Sequence, residues 1–298
     1  MQNNKFHYCL HILPILFFMA FVSASCIKGD LSDCPAPRTS GFSLQVKAFD
    51  ADGGSLGSET IKDITLYIFD ADKALLDTRH VLLSEIVFLD YPGHDNLKLV
   101  AWGNGKQGAQ SMPALKEGDH LETAFVSLIQ TRTTLPVAGS PDDLFYGTID
   151  ITPDADASAK ELPLRRKVSG VAITARYLRE YVGSTEGEYH YIVRKTTDKL
   201  DFYGKPNGTE VNYRPQAAFN DNGEFVSSAF NIFPTEADIK IDIYHRDVLK
   251  TTVIADSNGN PLRVAEGRLL NVLVDFRGVV SVDVKVTDWG KQEIWKEF

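Results

Sequence analysis

Cysteine is scarce in this chain, with three residues in 298. Cys26 and Cys34 would close only a short terminal loop, which removes little freedom from the unfolded chain and stabilises little. A disulfide framework is therefore excluded. Acid is missing from the first 25 residues, where Lys5 is the only lysine or arginine. Long apolar runs are missing too. The stretch from Ile12 to Val22 is broken by Pro14 and falls short of the ~20 apolar residues that a spanning helix needs. Basic charge is in deficit, with 31 Lys and Arg against 40 Asp and Glu and a formal charge of −9. Phosphate binding needs a cationic footprint, so nucleic acid is excluded as a partner. Metal-ligand spacing is absent, because His80, His94, His120, His190 and His245 lie far from one another and from any cysteine. Neither a metalloprotease helix, a nucleophile elbow nor a phosphate loop is found. Glycosidase carboxylates are paired in space rather than in sequence, so the abundant acids are no evidence for such a site. These absences predict a protein that is not an enzyme and carries no cofactor or metal.

What is present begins at the N-terminus. Residues 1–25 combine a charged start, a short apolar segment and the small triplet Ser23-Ala24-Ser25, the pattern of a cleaved export signal. Cys26 follows directly. Small residues before a cysteine resemble the bacterial lipobox, although Ser23 stands where an aliphatic residue is usual. That resemblance implies lipid attachment at Cys26. Each buried methylene contributes ~0.8 kcal/mol, so one acyl chain holds only marginally while the two or three of a lipoprotein cysteine hold stably. Residues 26–40 are polar and rich in proline around Cys34-Pro35-Ala36-Pro37, and read as a flexible tether. The acidic body would be repelled by anionic headgroups, leaving the lipid to hold it at the membrane.

Beyond the tether, period-two alternation dominates. Phe42, Leu44, Val46 and Ala48 share one face of a predicted strand, and Ile64, Leu66 and Ile68 share another. Further strands are predicted at 96–102, 144–149, 162–177, 189–193, 225–233, 239–244, 270–276 and 280–286, with a short helical patch at 121–128. Asp221-Asn222-Gly223 is a tight-turn signal. Many short strands with turns between them indicate β-sandwiches. The small, polar run Asp154-Ala155-Asp156-Ala157-Ser158 reads as a linker, giving an N-terminal domain over 41–157 and a C-terminal domain over 158–298.

Three local features invite a functional reading. Asp256-Ser257-Asn258-Gly259-Asn260 echoes a calcium loop but lacks its sixth-position glycine and twelfth-position glutamate, so a hairpin turn explains it better. Asn207-Gly208-Thr209 fits a glycosylation acceptor and reads as a turn. Trp102, Trp289 and Trp295 would serve either as core or as a sugar-stacking platform.

Taken together, Asp30-Leu31-Ser32-Asp33-Cys34-Pro35 beside the lipobox, Leu66-Tyr67-Ile68-Phe69-Asp70, Asp143-Leu144-Phe145-Tyr146-Gly147, Leu164-Arg165-Arg166-Lys167-Val168 and the closing Asp288-Trp289 resemble the FimB-type fimbrial anchor lipoproteins of Bacteroides-type bacteria. The resemblance implies an all-β protein with two tandem transthyretin-like β-sandwich domains. It also implies lipid anchoring in the outer membrane, surface exposure, a fimbrial shaft subunit as partner, and assembly by strand addition. In that setting Phe42 to Ala48 would stay as the first strand of its own domain, and cleavage after Arg38 would free the body from its lipid. An exposed edge strand, or the segment from Val280 to Trp295, would meet the shaft. A surface glycan-binding lipoprotein of a polysaccharide uptake system shares the tether, the acidity and the sandwiches, and is the alternative.

Overall fold

The computed structural model describes residues 41–106, 108–131, 136–153 and 159–295. The signal, the tether, Cys26, Cys34 and Arg38 lie outside the described residues. Strands make up almost all of the regular structure, and no helix among the described residues is long and apolar enough to cross a membrane.

The first sheet has eight strands and folds over on itself. One layer contains Leu75–Val81, Ile64–Phe69, Leu97–Gly103 and Phe145–Ile151, paired antiparallel in that order. The other contains Lys160–Arg166 and Gly41–Phe49, which run parallel, with Ile86–Asp90 and Ser55–Leu56 on the far side of Gly41–Phe49. The layers join where Phe145 and Tyr146 pair with Arg166 and Arg165, and nowhere further along those two strands. Gly147 sits at this corner, and a Cβ there would lie 2.3 Å from the Pro163 carbonyl oxygen. Only glycine allows that approach.

Alternation then fills the space between layers. Phe42, Leu44, Val46 and Ala48 point inward with Leu162 and Leu164, against Ile64, Leu66, Ile68, Leu99 and Ala101. The opposite face of the first layer is buried as well. Tyr67 and Phe69 meet Phe202 at ring-centroid distances of 4.9 and 6.3 Å, and Trp102 meets Tyr146 at 4.9 Å. Burial pushes the Tyr67 hydroxyl up to about 12. Ile64–Phe69 is thus apolar on both faces because both faces are covered.

Two six-stranded sheets and a small three-stranded one form the remainder among the described residues. Of the six-stranded pair, one is centred on Tyr189–Thr197 and Lys240–His245, the other on Ser169–Arg176 and Arg268–Asp275. Val171, Ile173, Val272 and Val274 of one pack with Tyr191, Val193, Ile241 and Ile243 of the other, giving the second sandwich. This core runs on without a break into Tyr67, Phe69 and Trp102 of the first sheet. Chain from the first half also enters the second. Val137–Ala138 pairs with Glu210–Tyr213, and Phe125–Leu128 pairs with Lys199–Asp201.

The structure departs from the sequence reading at several points, among them the stretch predicted as strand over 225–233, which is two strands, Phe225–Ser227 and Phe230–Ile232. The predicted strand over 162–177 is two strands in different sheets, Lys160–Arg166 and Ser169–Arg176. The linker-like run at 154–158 lies outside the described residues, and the strand after it returns to the first sheet because Leu162 and Leu164 complete that core. The chain changes sheets at Lys167-Val168, whose main chain is tied to Leu144 and Gly267. The patch at 121–128 is a single 3-10 turn, Leu121–Thr123, followed by the strand Phe125–Leu128.

Removing a side chain from the shared face of the first strand leaves a cavity that neither neighbour fills. Leu44→Ala should cost about 2–5 kcal/mol. Ser43→Ala, one residue along on the outward face, should stay within about 0.5 kcal/mol. Urea unfolding of the two variants checks the contrast.

Candidate functional site

The ends of the described chain hold the residues that the sequence analysis singled out. At the N-terminal end, Gly41–Phe49 is paired on both sides. Leu44 to Phe49 run parallel to Lys160 to Arg165, and Gly41 to Gln45 run antiparallel to Ile86 to Asp90. All four inward side chains from Phe42 to Ala48 are almost fully buried. This strand fills a slot in its own sandwich, and withdrawing it would expose both the apolar slot and a row of main-chain groups.

At the other end, Ser281–Asp288 pairs with Arg268–Asp275 along its whole length and borders its sheet. On its free side the Val282 amide donates to the Ser257 hydroxyl at 2.7 Å, and the Val282 carbonyl accepts from the Ser257 amide at 2.8 Å. Antiparallel strands alternate in the direction of their main-chain groups. The amides and carbonyls of Val284 and Val286 therefore face outward too. At the far end of this edge Asp288 accepts from the Lys291 amide at 3.1 Å. The edge is closed at both ends and open at Val284 and Val286, beside the exposed Val279 and Val286 side chains.

The segment after Asp288 turns back over the outer face of its sheet. Buried there are Ala172, Thr174, Leu269 and Leu273. The Glu293 amide donates to Asn271 at 2.9 Å, and the Arg176 guanidinium donates to the Trp295 carbonyl at 2.8 Å. Lys285 and Glu293 form an ion pair at 2.9 Å. Arg176 itself is held by Glu224 at 2.6 Å, which also accepts from Asn220 at 2.8 Å. Arg176, Asn220, Glu224, Glu293 and Trp295 line a cleft of about 1110 Å³. Burial raises the Glu224 carboxyl, but the hydrogen bonds from Asn220 and Arg176 outweigh it and hold the group below the usual carboxylate range.

The other candidates resolve into packing and turns. Trp102 is fully buried and is unavailable to a ligand. Trp289 lies against the Arg166 guanidinium at 4.4 Å, and Arg166 is in turn paired with Asp143 at 2.5 Å. Asp256 accepts the Asn258 and Asn260 amides, so its carboxylate closes a turn, and that turn presents Ser257 to the edge at Val282. Asn207-Gly208-Thr209 is a turn gathered around Asp198, which accepts the Thr209 amide at 2.7 Å. Among the described residues no three His, Cys, Asp or Glu side chains converge as metal ligands. Sequence reasoning missed Ile86–Asp90, which carries four apolar residues in a row and shows no alternation. It also missed the Ser257 cap, for which no sequence signal exists.

A carboxyl held low in the folded state stabilises fully above its unfolded value of about 4.3, and that contribution disappears as the pH falls through the folded value. Wild type should therefore lose more stability between pH 6 and pH 2 than Glu224→Gln. Urea midpoints across that range check the sign.

Three comparisons bear on this architecture. Two curated relatives from Porphyromonas gingivalis, each named major fimbrium anchoring subunit FimB, are 26% identical over 100% of both chains and 27% identical over 97% of this chain and 96% of the relative. The solved structure of the fimbrial anchor protein Mfa2 from the same species superposes with a TM-score of 0.63 at 15% identity, covering 84% of this chain and 97% of that one. At that identity the likeness shows the fold. A family model described as fimbrillin-A associated anchor proteins Mfa1 and Mfa2 matches residues 31–295. The match takes in the slotted first strand, both sandwiches and the returning C-terminal segment, and the chain belongs to that family.

Proposed function

We propose that this protein is an outer-membrane lipoprotein that anchors a fimbria to the cell and ends its growth. Residues 1–25 act as the export signal, Cys26 carries the lipid, and residues 26–40 tether two sandwich domains at the cell surface. The observation that carries the reading is the first strand. Gly41–Phe49 is bonded on both sides and buries four side chains in its own sandwich. A body built this way stays continuous with whatever holds its N-terminus. Its slot is also filled from within, so no further subunit enters there. Family membership and the names of the relatives support the same role.

The shaft then has to meet a different surface. The open edge at Val284 and Val286 suits strand addition, because outward amides and carbonyls supply affinity and exposed valines supply register. Natural sheets shorten or cover such edges to avoid promiscuous pairing. Here the Ser257 turn and the Asp288–Lys291 turn do so, leaving only two residues' main chain available.

Two variants separate the two attachments. Cys26→Ala should release fimbriae and the protein together into the medium. Val286→Pro removes an outward amide and spares the ladder to Arg268–Asp275, so it should release fimbriae while the protein remains with the cells. Electron microscopy and immunoblots of cells and medium read both outcomes, and cell-bound fimbriae in the Cys26→Ala strain would defeat the anchor reading.

A further inference from the structure

Three large apolar side chains stand in solvent on the first sandwich: Leu82, Ile86 and Phe88, exposed by 67, 60 and 65%. Ile86 and Phe88 lie on the outward face of an edge strand. Its alternate residue Leu89 is buried with Phe42 and Leu44, so the outward pair contributes nothing to the core. The layer that carries them is the one turned away from the second sandwich, because the other layer's outer face is occupied by Tyr67, Phe69 and Trp102 in the shared core. Phe88 also marks the point where the tether meets the body. Its ring covers Gly41, where an added Cβ would fall 2.1 Å from the Phe88 Cζ. Ser43 and Gln45, which pair with Phe88 and Ile86, complete an uncharged strip beside them.

We infer that this patch docks into the membrane that holds the Cys26 lipid, so that the body lies against the bilayer on its first sandwich. The inference rests on lipid attachment at Cys26. Fourteen residues separate Cys26 from Gly41. Their contour length limits the reach from lipid to body to roughly 50 Å. A short flexible linker raises the effective concentration of the tethered surface to the order of millimolar. A patch too weak to bind a bilayer alone is therefore sufficient once the lipid is inserted. The acidic body opposes approach to an anionic surface, and the exposed Glu85, Asp90 and Glu161 border the strip, so Leu82, Ile86 and Phe88 have to carry the contact themselves. Leu82, Ile86 and Phe88 are of the kinds that enter the headgroup–acyl boundary.

The test uses the full acylated protein in vesicles of phosphatidylethanolamine and phosphatidylglycerol, with Cys34→Ser removing the other thiol. A bimane is placed on Phe88→Cys, or for comparison on Val279→Cys, which is equally free of core contacts at 90% exposure. Nitroxide lipids should quench the probe at 88 at least threefold more than the probe at 279. Adding Leu82→Asp and Ile86→Asp should abolish the difference while the protein still floats with the vesicles. Equal, weak quenching at both positions in floating protein overturns the docking and leaves the lipid in place. Protein that fails to float overturns the lipid attachment and the inference with it. Shielding at 88 that rises with protein concentration at fixed lipid assigns the patch to a second copy of the chain and overturns the membrane assignment.

Discussion

The structure depends on the insertion of Gly41–Phe49 between Lys160–Arg166 and Ile86–Asp90. This strand is the first described element of the chain, and one of its partners lies more than a hundred residues downstream. Without it, Leu162 and Leu164 would face an open slot, and Leu89 would lose the partners that fix the edge. Such long-range parallel pairing forms slowly because loop closure precedes its reward. Once formed, it ties both ends of the first sandwich to a segment next to the proposed lipid site.

The second constraint is the sharing of one layer by two cores. Ile64–Phe69 and Leu97–Gly103 bury alternate residues in opposite directions, toward Phe42 and Leu44 on one side and toward Phe202 on the other. Tyr146 closes this contact by donating to the Phe202 carbonyl at 3.1 Å while its ring lies on Trp102. A cluster of large aromatics in that position leaves little room for the sandwiches to slide over one another. The strands Phe125–Leu128 and Val137–Ala138, which leave the first half to pair with the second, reinforce the link.

Much of this was readable from the residues. Phe42 to Ala48 and Ile64 to Ile68 alternate cleanly, since each has one face on a dry core, and the turn at Asn220–Glu224 announced itself through Asp221-Asn222-Gly223. The change of sheet at Lys167-Val168 showed only as a shift of phase, from Leu162 and Leu164 to Val171 and Ile173 across Gly170, which a single long strand also accommodates if its alternation is read loosely. Ile86–Asp90 was hidden for the reverse reason, as its outward positions are apolar too. The arrangement of the C-terminal segment was readable only as a candidate stretch from Val280 to Trp295. Its geometry comes from Asn271, Arg176 and Ser257. Their partners are distant in sequence, and pattern reasoning has no access to such pairs.

The two-sided pairing of the first strand also has a mechanical meaning. Under the proposed anchoring, a pull on the N-terminus would reach the end of a nine-residue strand held by neighbours on both edges. Force directed along that strand loads the flanking hydrogen bonds in shear, all together, whereas force across it would peel them one by one. Rupture under load is governed by an unfolding rate rather than by an equilibrium. An attachment of this kind withstands brief, strong drag better than its modest free energy of folding would suggest.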